Sequence, residues 1–254
     1  MKFIRRKGLK PSEVSELQGR FGERANFSVV ERYLYSRDMG EFPPLVSKLV
    51  GGPAHAVVQV QGEDELAWLM DFSLRHGIPL VPRAAATSGY GGSLPVRGGI
   101  IVDLTRLDRI LEVDEKEARV RVEPGVIWWN LEKTLRSRGL ALRAYPSSAP
   151  SSTIGGWVAE GGSGIGAYGY GGIRDVLLGL RVLTPRGALE VRGEDLDLYV
   201  GSEGILGFIT EVEISVRPSL PDSPWLFSFP GPGEVQGFID DITVIYPPQA
   251  GTQG

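Results

Sequence analysis

Three stretches of the chain combine small residues, hydroxyls and free backbone in ways that could hold a ligand. The first is Pro82-Arg83-Ala84-Ala85-Ala86-Thr87-Ser88-Gly89-Tyr90-Gly91-Gly92-Ser93. A run of small residues lets successive backbone N–H groups converge on one anion, a nest for phosphate oxygens. The same composition also describes an ordinary surface loop. The second is Tyr145-Pro146-Ser147-Ser148-Ala149-Pro150-Ser151-Ser152-Thr153-Ile154-Gly155-Gly156, running into what reads as a helix at Trp157-Val158-Ala159. Hydroxyls and free amides there suit a pyrophosphate or the acceptor-rich edge of a heteroaromatic ring, and the bland alternative is a serine-rich linker. The third contains a literal G-x-G-x-x-G at Gly164, Gly166 and Gly169. A Rossmann fingerprint needs a strand just before it and a helix just after. Ala159-Glu160-Gly161-Gly162 and Tyr170-Gly171-Gly172 supply neither, so that reading is set aside.

Composition narrows the chemistry further. The chain has no cysteine and only two histidines, His55 and His76. That removes disulfides, thiolate metal sites and cysteine nucleophiles, and it leaves little room for a histidine-rich metal site or a Ser–His–Asp triad. Glycine contributes 35 of 254 residues, roughly twice the usual share. Nine of the eighteen residues from Gly155 to Gly172 are glycine. Clustered glycine without a collagen or low-complexity period marks backbone that turns sharply or lies against a ligand. A net charge of −4 and a pI near 5.4 argue against a nucleic-acid partner. No signal peptide and no uninterrupted apolar span are readable, so a cytoplasmic protein without a membrane span is expected.

The elements that must position these stretches alternate. Ser12-Glu13-Val14-Ser15-Glu16-Leu17 has helix-capping character, and Tyr33-Leu34-Tyr35 is the expected docking point of the N-terminal segment. Ala56 to Val60 reads as a strand, Glu63 to His76 as an amphipathic helix closed by Gly77, and Ile78–Pro82 and Gly99–Leu104 as further strands. Ala118 to Glu123 alternates as a half-exposed strand, and Val126 to Arg138 reads as a helix ended by Gly139. Val176–Leu183 and Gly187–Val191 form a hairpin around Thr184-Pro185-Arg186-Gly187, and Phe208–Val216 is a last strand. Trp225-Leu226-Phe227-Ser228-Phe229 reads as a strand and Glu234–Ile239 as a helix start. The expected fold is α+β in two lobes, a small α/β lobe with parallel strands and a larger lobe with a mixed or antiparallel sheet flanked by helices.

Together and in order, these segments resemble the FAD-binding domain of the vanillyl-alcohol oxidase superfamily, also called the p-cresol methylhydroxylase type. Within it they are most similar to the glycolate oxidase and D-lactate dehydrogenase branch. The resemblance is carried by Tyr35-Ser36-Arg37-Asp38, the Pro82–Pro95 loop, Gly98–Leu104 and Val122-Glu123-Pro124-Gly125-Val126. Pro146-Ser147-Ser148 with Thr153-Ile154-Gly155-Gly156, Tyr170-Gly171 with Asp175, and Gly201–Thr210 complete it, over about residues 30 to 218.

The resemblance implies FAD as cofactor and residues for each part of it. The backbone of Arg83, Ala84, Ala85, Ala86, Thr87 and Ser88, with Gly91 and Gly92, would wrap the pyrophosphate. Pro146, Ser147, Ser148, Ser151, Thr153 and Gly156 would line the flavin ring and ribityl chain. Gly161, Gly162, Gly164 and Gly166 would lie near the cofactor, and Ile209 would meet its adenine side. Ala84 and Ala86 stand where the family usually has glycine, so a positive φ there would be strained. Gly161 stands where many relatives have asparagine. Thr87 occupies the position of the covalent-linkage histidine, which implies noncovalent flavin.

The implied organisation is a lead-in over residues 1–44, an FAD-binding domain over 45–218 with lobes of about 45–110 and 111–218, and the stub of a cap domain over 219–254. The implied activity is oxidation of a 2-hydroxy acid, glycolate- or lactate-like, or a similar alcohol, by hydride transfer to FAD. A partner subunit would supply the substrate domain. No metal is expected and no catalytic residue is assigned. Tyr168 and Tyr170 could touch substrate, with packing the plainer role. The alternatives are a noncatalytic flavin-binding or electron-relay module, a degenerate truncated product, or a scaffold that no longer binds flavin.

Overall fold

A computed structural model describes residues 8–40, 43 and 52–245. Two sheets stand side by side. The first has the order β1-β2-β4-β3, from β1 (Ala25–Asn26), β2 (Ala56–Gln59), β3 (Leu80–Arg83) and β4 (Ile100–Asp103). β2, β4 and β3 are parallel, and the short β1 adds an antiparallel edge. The crossover between β2 and β3 is α3 (Glu63–His76), whose bounds match the sequence pattern. Its first turn is acidic and Gly77 ends it in the left-handed conformation, φ 60° and ψ 41°.

Two helices precede this layer, α1 (Pro11–Phe21) and α2 (Val29–Tyr35). α1 starts one residue before the predicted capping run. Lys10 is its N-cap, Pro11 opens it, and Glu13 reaches back to the Lys10 N–H at 2.7 Å. Leu17 and Phe21 are buried with Leu66, Leu69 and Phe72 of α3. The expected docking of Tyr33-Leu34-Tyr35 narrows to Tyr35, which packs on Val57 and Ile101, because Tyr33 and Leu34 face solvent on the other side of the helix.

The second sheet is antiparallel throughout, in the order β5-β6-β10-β8-β9 with β7 also paired to β10. Its strands are β5 (Ile110–Asp114), β6 (Arg119–Val122), β7 (Leu140–Leu142), β8 (Leu177–Thr184), β9 (Gly187–Val191) and β10 (Phe208–Pro218). The predicted hairpin is β8–β9, with Thr184 opposite Gly187. On this sheet pack α4 (Trp128–Arg136) and α5 (Ile154–Glu160), their Trp128 and Trp157 rings edge-to-face at 5.1 Å. α6 (Ala167–Tyr170) and α7 (Ile173–Val176) follow as single turns. The helix read from Val126 begins at Trp128, because the backbone just before it is tied to 152–155 through Trp128 N–H to Ser152 O and Ile154 N–H to Val126 O.

The lobes share a core. Leu183 of β8 and Phe208 of β10 are buried among the first lobe's apolar residues, each contributing about 1.5–3 kcal/mol relative to exposure. Arg181 of β8 clamps Glu63 of α3 through two bonds of 2.8 and 3.0 Å, and Thr210 adds a third at 2.9 Å.

The tail departs from expectation. Trp225–Phe229 is not a strand, because among the described residues no strand edge lies beside it to pair with. Phe227 and Phe229 instead gather on Phe238 at 4.6 and 5.1 Å, within α8 (Pro232–Ile245), of which no residue is buried.

Candidate functional site

Between the lobes lies a cleft of about 980 Å³, at the upper end of small-molecule site volumes. The segments that the sequence singled out meet there. β3 delivers the 83–93 loop to one wall, and Arg83 is fixed by its N–H···O contacts to Arg37 O at 2.6 Å and Ser93 Oγ at 3.4 Å. Among the described residues, the backbone N–H groups of Ala85, Ala86, Thr87 and Ser88 donate to no other protein group. Four consecutive N–H groups without a protein partner, on a loop lining a cleft, are donors that an anion could use. Ala86 sits at φ 51°, the left-handed region, whereas Ala84 does not. The strain expected at two alanines therefore falls on one, at about 1–2 kcal/mol.

The opposite wall is built by residues 146–165. Its backbone is clamped from two sides, by the Ile127–Thr153 bridge and by reciprocal Tyr145–Ile165 bonds of 3.1 and 2.8 Å. The glycines here answer to packing more than to turning. A Cβ on Gly162 would lie 1.9 Å from Trp157 Nε1, and one on Gly164 would lie 2.3 Å from Tyr145 O. Gly156 is tight as well, since its Cβ would meet Thr153 Oγ1 of its own wall at 3.0 Å and Ala84 Cβ of the opposite loop at 3.3 Å. Thr153 Oγ1 and Ser152 Oγ are buried without a hydrogen-bond partner, and both residues line the cleft. Thr153 is the N-cap of α5, yet its hydroxyl makes no capping bond. Both oxygens are sealed from solvent beneath the cleft surface, so each is left unsatisfied in the free protein.

Of the predicted site residues, Arg83, Ala84, Ala85, Ala86, Thr87, Ser88 and Gly92 line the first wall. Pro146, Ser147, Ser148, Thr153, Gly156, Gly161, Gly162 and Gly164 line the second, and Ile209 closes the end. Three lie apart from the lining. The Gly91 N–H donates to Asp38 at 2.7 Å, Ser151 is exposed with its hydroxyl on Ser148 O, and Gly166 packs on the Arg143 carbonyl. Tyr168 and Tyr170 also lie outside the lining, and Tyr170 packs on the second core beneath Arg143. Both histidines are remote. The His55 Nδ1 accepts from Gly99 N–H, and His76 lies between Glu13 and Glu16.

The sequence reading missed Ser152, Asp38, Glu160 and Glu203, all on the cleft. Asp38 and Glu203 stood inside quoted motifs, but nothing local to either residue shows that it meets the 88–92 loop. Burial, with smaller contributions from Glu160 and Asp38, pushes the Glu203 carboxyl above its ordinary range. Burial also pulls Arg83 down from the usual guanidinium value, with Tyr35, Asp103 and Asp38 opposing. Tyr35, whose hydroxyl donates to Asp103 at 3.2 Å, is raised by burial and that carboxylate.

Comparison with known proteins agrees with this geometry. A family model described as an FAD binding domain matches residues 54–192. The chain is 36% identical over 173 residues to the glycolate oxidase subunit GlcD of Bacillus subtilis, covering 64% of this chain and 37% of that protein. It is 30% identical over 214 residues to the mitochondrial D-lactate dehydrogenase (cytochrome) of Arabidopsis thaliana, covering 80% and 36%. A solved structure of alkyldihydroxyacetonephosphate synthase superposes with a TM-score of 0.75 at 26% identity, covering 86% of this chain and 43% of that one. The chain thus spans less than half the length of the curated relatives it matches. Among the described residues no helix is long and apolar enough to cross a membrane.

Proposed function

The chain belongs to the FAD binding domain family, and from that membership we propose that it is the cofactor-holding part of a flavin-dependent oxidoreductase acting on a 2-hydroxy acid. The observation that carries the reading is one cleft lined on one side by four N–H groups without a protein partner and on the other by a serine-, threonine- and glycine-rich wall. The N–H groups of Ala85, Ala86, Thr87 and Ser88 take the diphosphate, with Arg83 supplying the positive charge on the same wall. Pro146, Ser147, Ser148, Ser152, Thr153 and Gly156 take the flavin and ribityl end. When bound, FAD supplies the two-electron acceptor. The chain's own part is to fix that acceptor's orientation and to exclude water from the buried hydroxyl wall. Thr87 has no nucleophilic nitrogen to offer, so attachment is noncovalent.

The substrate-facing part comes from polypeptide outside the described residues, in this chain's continuation or a partner subunit. The tail supports this, because Trp225 is 80% and Leu226 97% exposed beside an α8 with no buried residue. Apolar surface of this kind marks an interface. The test is a visible absorption spectrum of the purified protein before and after denaturation and filtration. A flavin chromophore that passes the filter, and that glycolate or lactate bleaches without oxygen once the substrate-facing polypeptide is added, is the expected result. A colourless protein that fails to take up FAD overturns the reading.

A further inference from the structure

The diphosphate end of the cleft carries more negative than positive charge. Asp38 Oδ2 accepts the Gly91 N–H at 2.7 Å, and Glu160 Oε1 accepts the Ser88 hydroxyl at 2.9 Å. Glu203 Oε2 lies so close to Gly92 that a Cβ built there would stand 1.7 Å from it. Three carboxylates from separate segments thus surround the 88–92 loop. The other titratable groups lining the cleft, among the described residues, are Tyr90 and a single cation, Arg83, which makes no ion pair. A dinucleotide's diphosphate brings two more negative charges to this loop, and like charges a few ångströms apart disfavour one another.

We propose that Glu203 is the charge-compensating residue of this site, taking up one proton from solvent as the diphosphate seats, so that loading tightens as pH falls. The inference rests on reading the cleft as the FAD site. Glu203 is the member free to do this. Asp38 is committed to the N–H groups of Gly40 and Gly91, and Glu160 to Ser88, whereas the Glu203 carboxylate accepts no hydrogen bond among the described residues. Its carboxyl already stands above the ordinary range through burial and its two acidic neighbours, although the residue remains open to solvent. The proton passes from solvent to a Glu203 carboxylate oxygen, and no electron moves.

The sign follows. Added negative charge raises Glu203 further, so affinity is flat above the bound-state value and climbs as pH falls through it toward the free-state value. Titration of the protein with FAD between pH 5 and 8, with calorimetry in buffers of different ionisation enthalpy, reads both affinity and protons. FAD binding on the order of tenfold tighter at the acid end, with up to one proton taken up, is expected for charges at this range. Glu203→Gln imitates the protonated form and is expected to hold FAD at that tighter level at every pH. Riboflavin, which lacks the phosphates, is expected to bind without proton uptake. If that variant does not fold, the wild-type proton count and the riboflavin control decide alone. PH-independent FAD binding overturns the inference and leaves the cofactor reading standing. So does an unchanged slope in Glu203→Gln, or the same slope for riboflavin. No FAD binding at any pH overturns both.

Discussion

The two walls of the cleft would grip a ligand by different physics. The 83–92 wall offers backbone donors on a strained loop ringed by carboxylates, so what it discriminates is charge. The 146–164 wall offers neutral hydroxyls and close-packed glycines, so what it discriminates is shape and hydrogen-bond pattern. A buried hydroxyl without a partner costs about 1–3 kcal/mol. The second wall thus carries that cost in the free protein, whereas the first is already braced by its own acidic side chains. That difference assigns an orientation to a ligand with one charged and one heteroaromatic end.

The sharpest way to break the comparison is to fill one wall and leave the other. Gly156→Val places a branched side chain where a Cβ already meets Ala84 Cβ at 3.3 Å and Thr153 Oγ1 at 3.0 Å. FAD and riboflavin affinity are expected to fall on the order of a hundredfold, the upper range for overpacking. ADP, which lacks the flavin and ribityl end, is expected to lose about tenfold or less, because the valine also presses on Ala84 at the start of the charged loop. Fluorescence titration for the flavins and equilibrium dialysis for ADP give the ratio, with circular dichroism confirming the helix. Equal losses for all three ligands would mean that the walls do not divide the ligand as described.

Much of this site could be read from the sequence because small residues and hydroxyls at loop positions declare themselves locally. α3 was legible to its ends for a similar reason, with apolar spacing, an acidic first turn and Gly77 all in one window. What stayed hidden depends on distant chain. Asp38 meets Gly91 only because the segment after α2 folds across the loop, with Met39 N–H on Ser88 O at 3.1 Å. Ser151 and Ser152 are adjacent and chemically identical, and only the clamp of 152–155 onto 124–128 turns the second inward. The tail misled for the converse reason. Trp225–Phe229 has strand chemistry, but a strand exists only against a partner edge, and that is a property of the rest of the molecule.

A smaller effect with opposite signs in two assays sharpens the contrast. Thr153→Val keeps the shape of the side chain and removes the orphaned Oγ1. The protein without cofactor is expected to hold or gain up to about 1 kcal/mol, because no bond is lost and an unsatisfied group leaves the interior. FAD affinity is expected to drop about five- to tenfold over the same substitution. Thermal melting and FAD titration on one preparation decide it. A loss of stability would reveal a partner for this hydroxyl in the free protein.

The smallest expected effect lies on the charged wall, at Ala86. Its φ of 51° resembles that of Ala118, φ 48°, in the turn between β5 and β6. Both alanines hold a conformation that costs an L-residue about 1–2 kcal/mol, and glycine adopts it freely. Glycine gives back part of that gain through the larger entropy of its unfolded chain. Ala86→Gly and Ala118→Gly should therefore each stabilise by about 0.5–1 kcal/mol, raising the melting temperature by a few degrees or less. Their difference is the informative quantity. Ala118 is remote from the cleft, so its substitution is expected to leave FAD affinity unchanged. Ala86 belongs to the row of unpaired N–H groups, and an alanine there leaves that stretch fewer accessible conformations than glycine would. Relaxing it is expected to weaken FAD binding by up to about threefold while stabilising the fold. Tighter binding in Ala86→Gly would show that the strain opposes the ligand, and that the loop of the free protein is not yet in the shape that receives it.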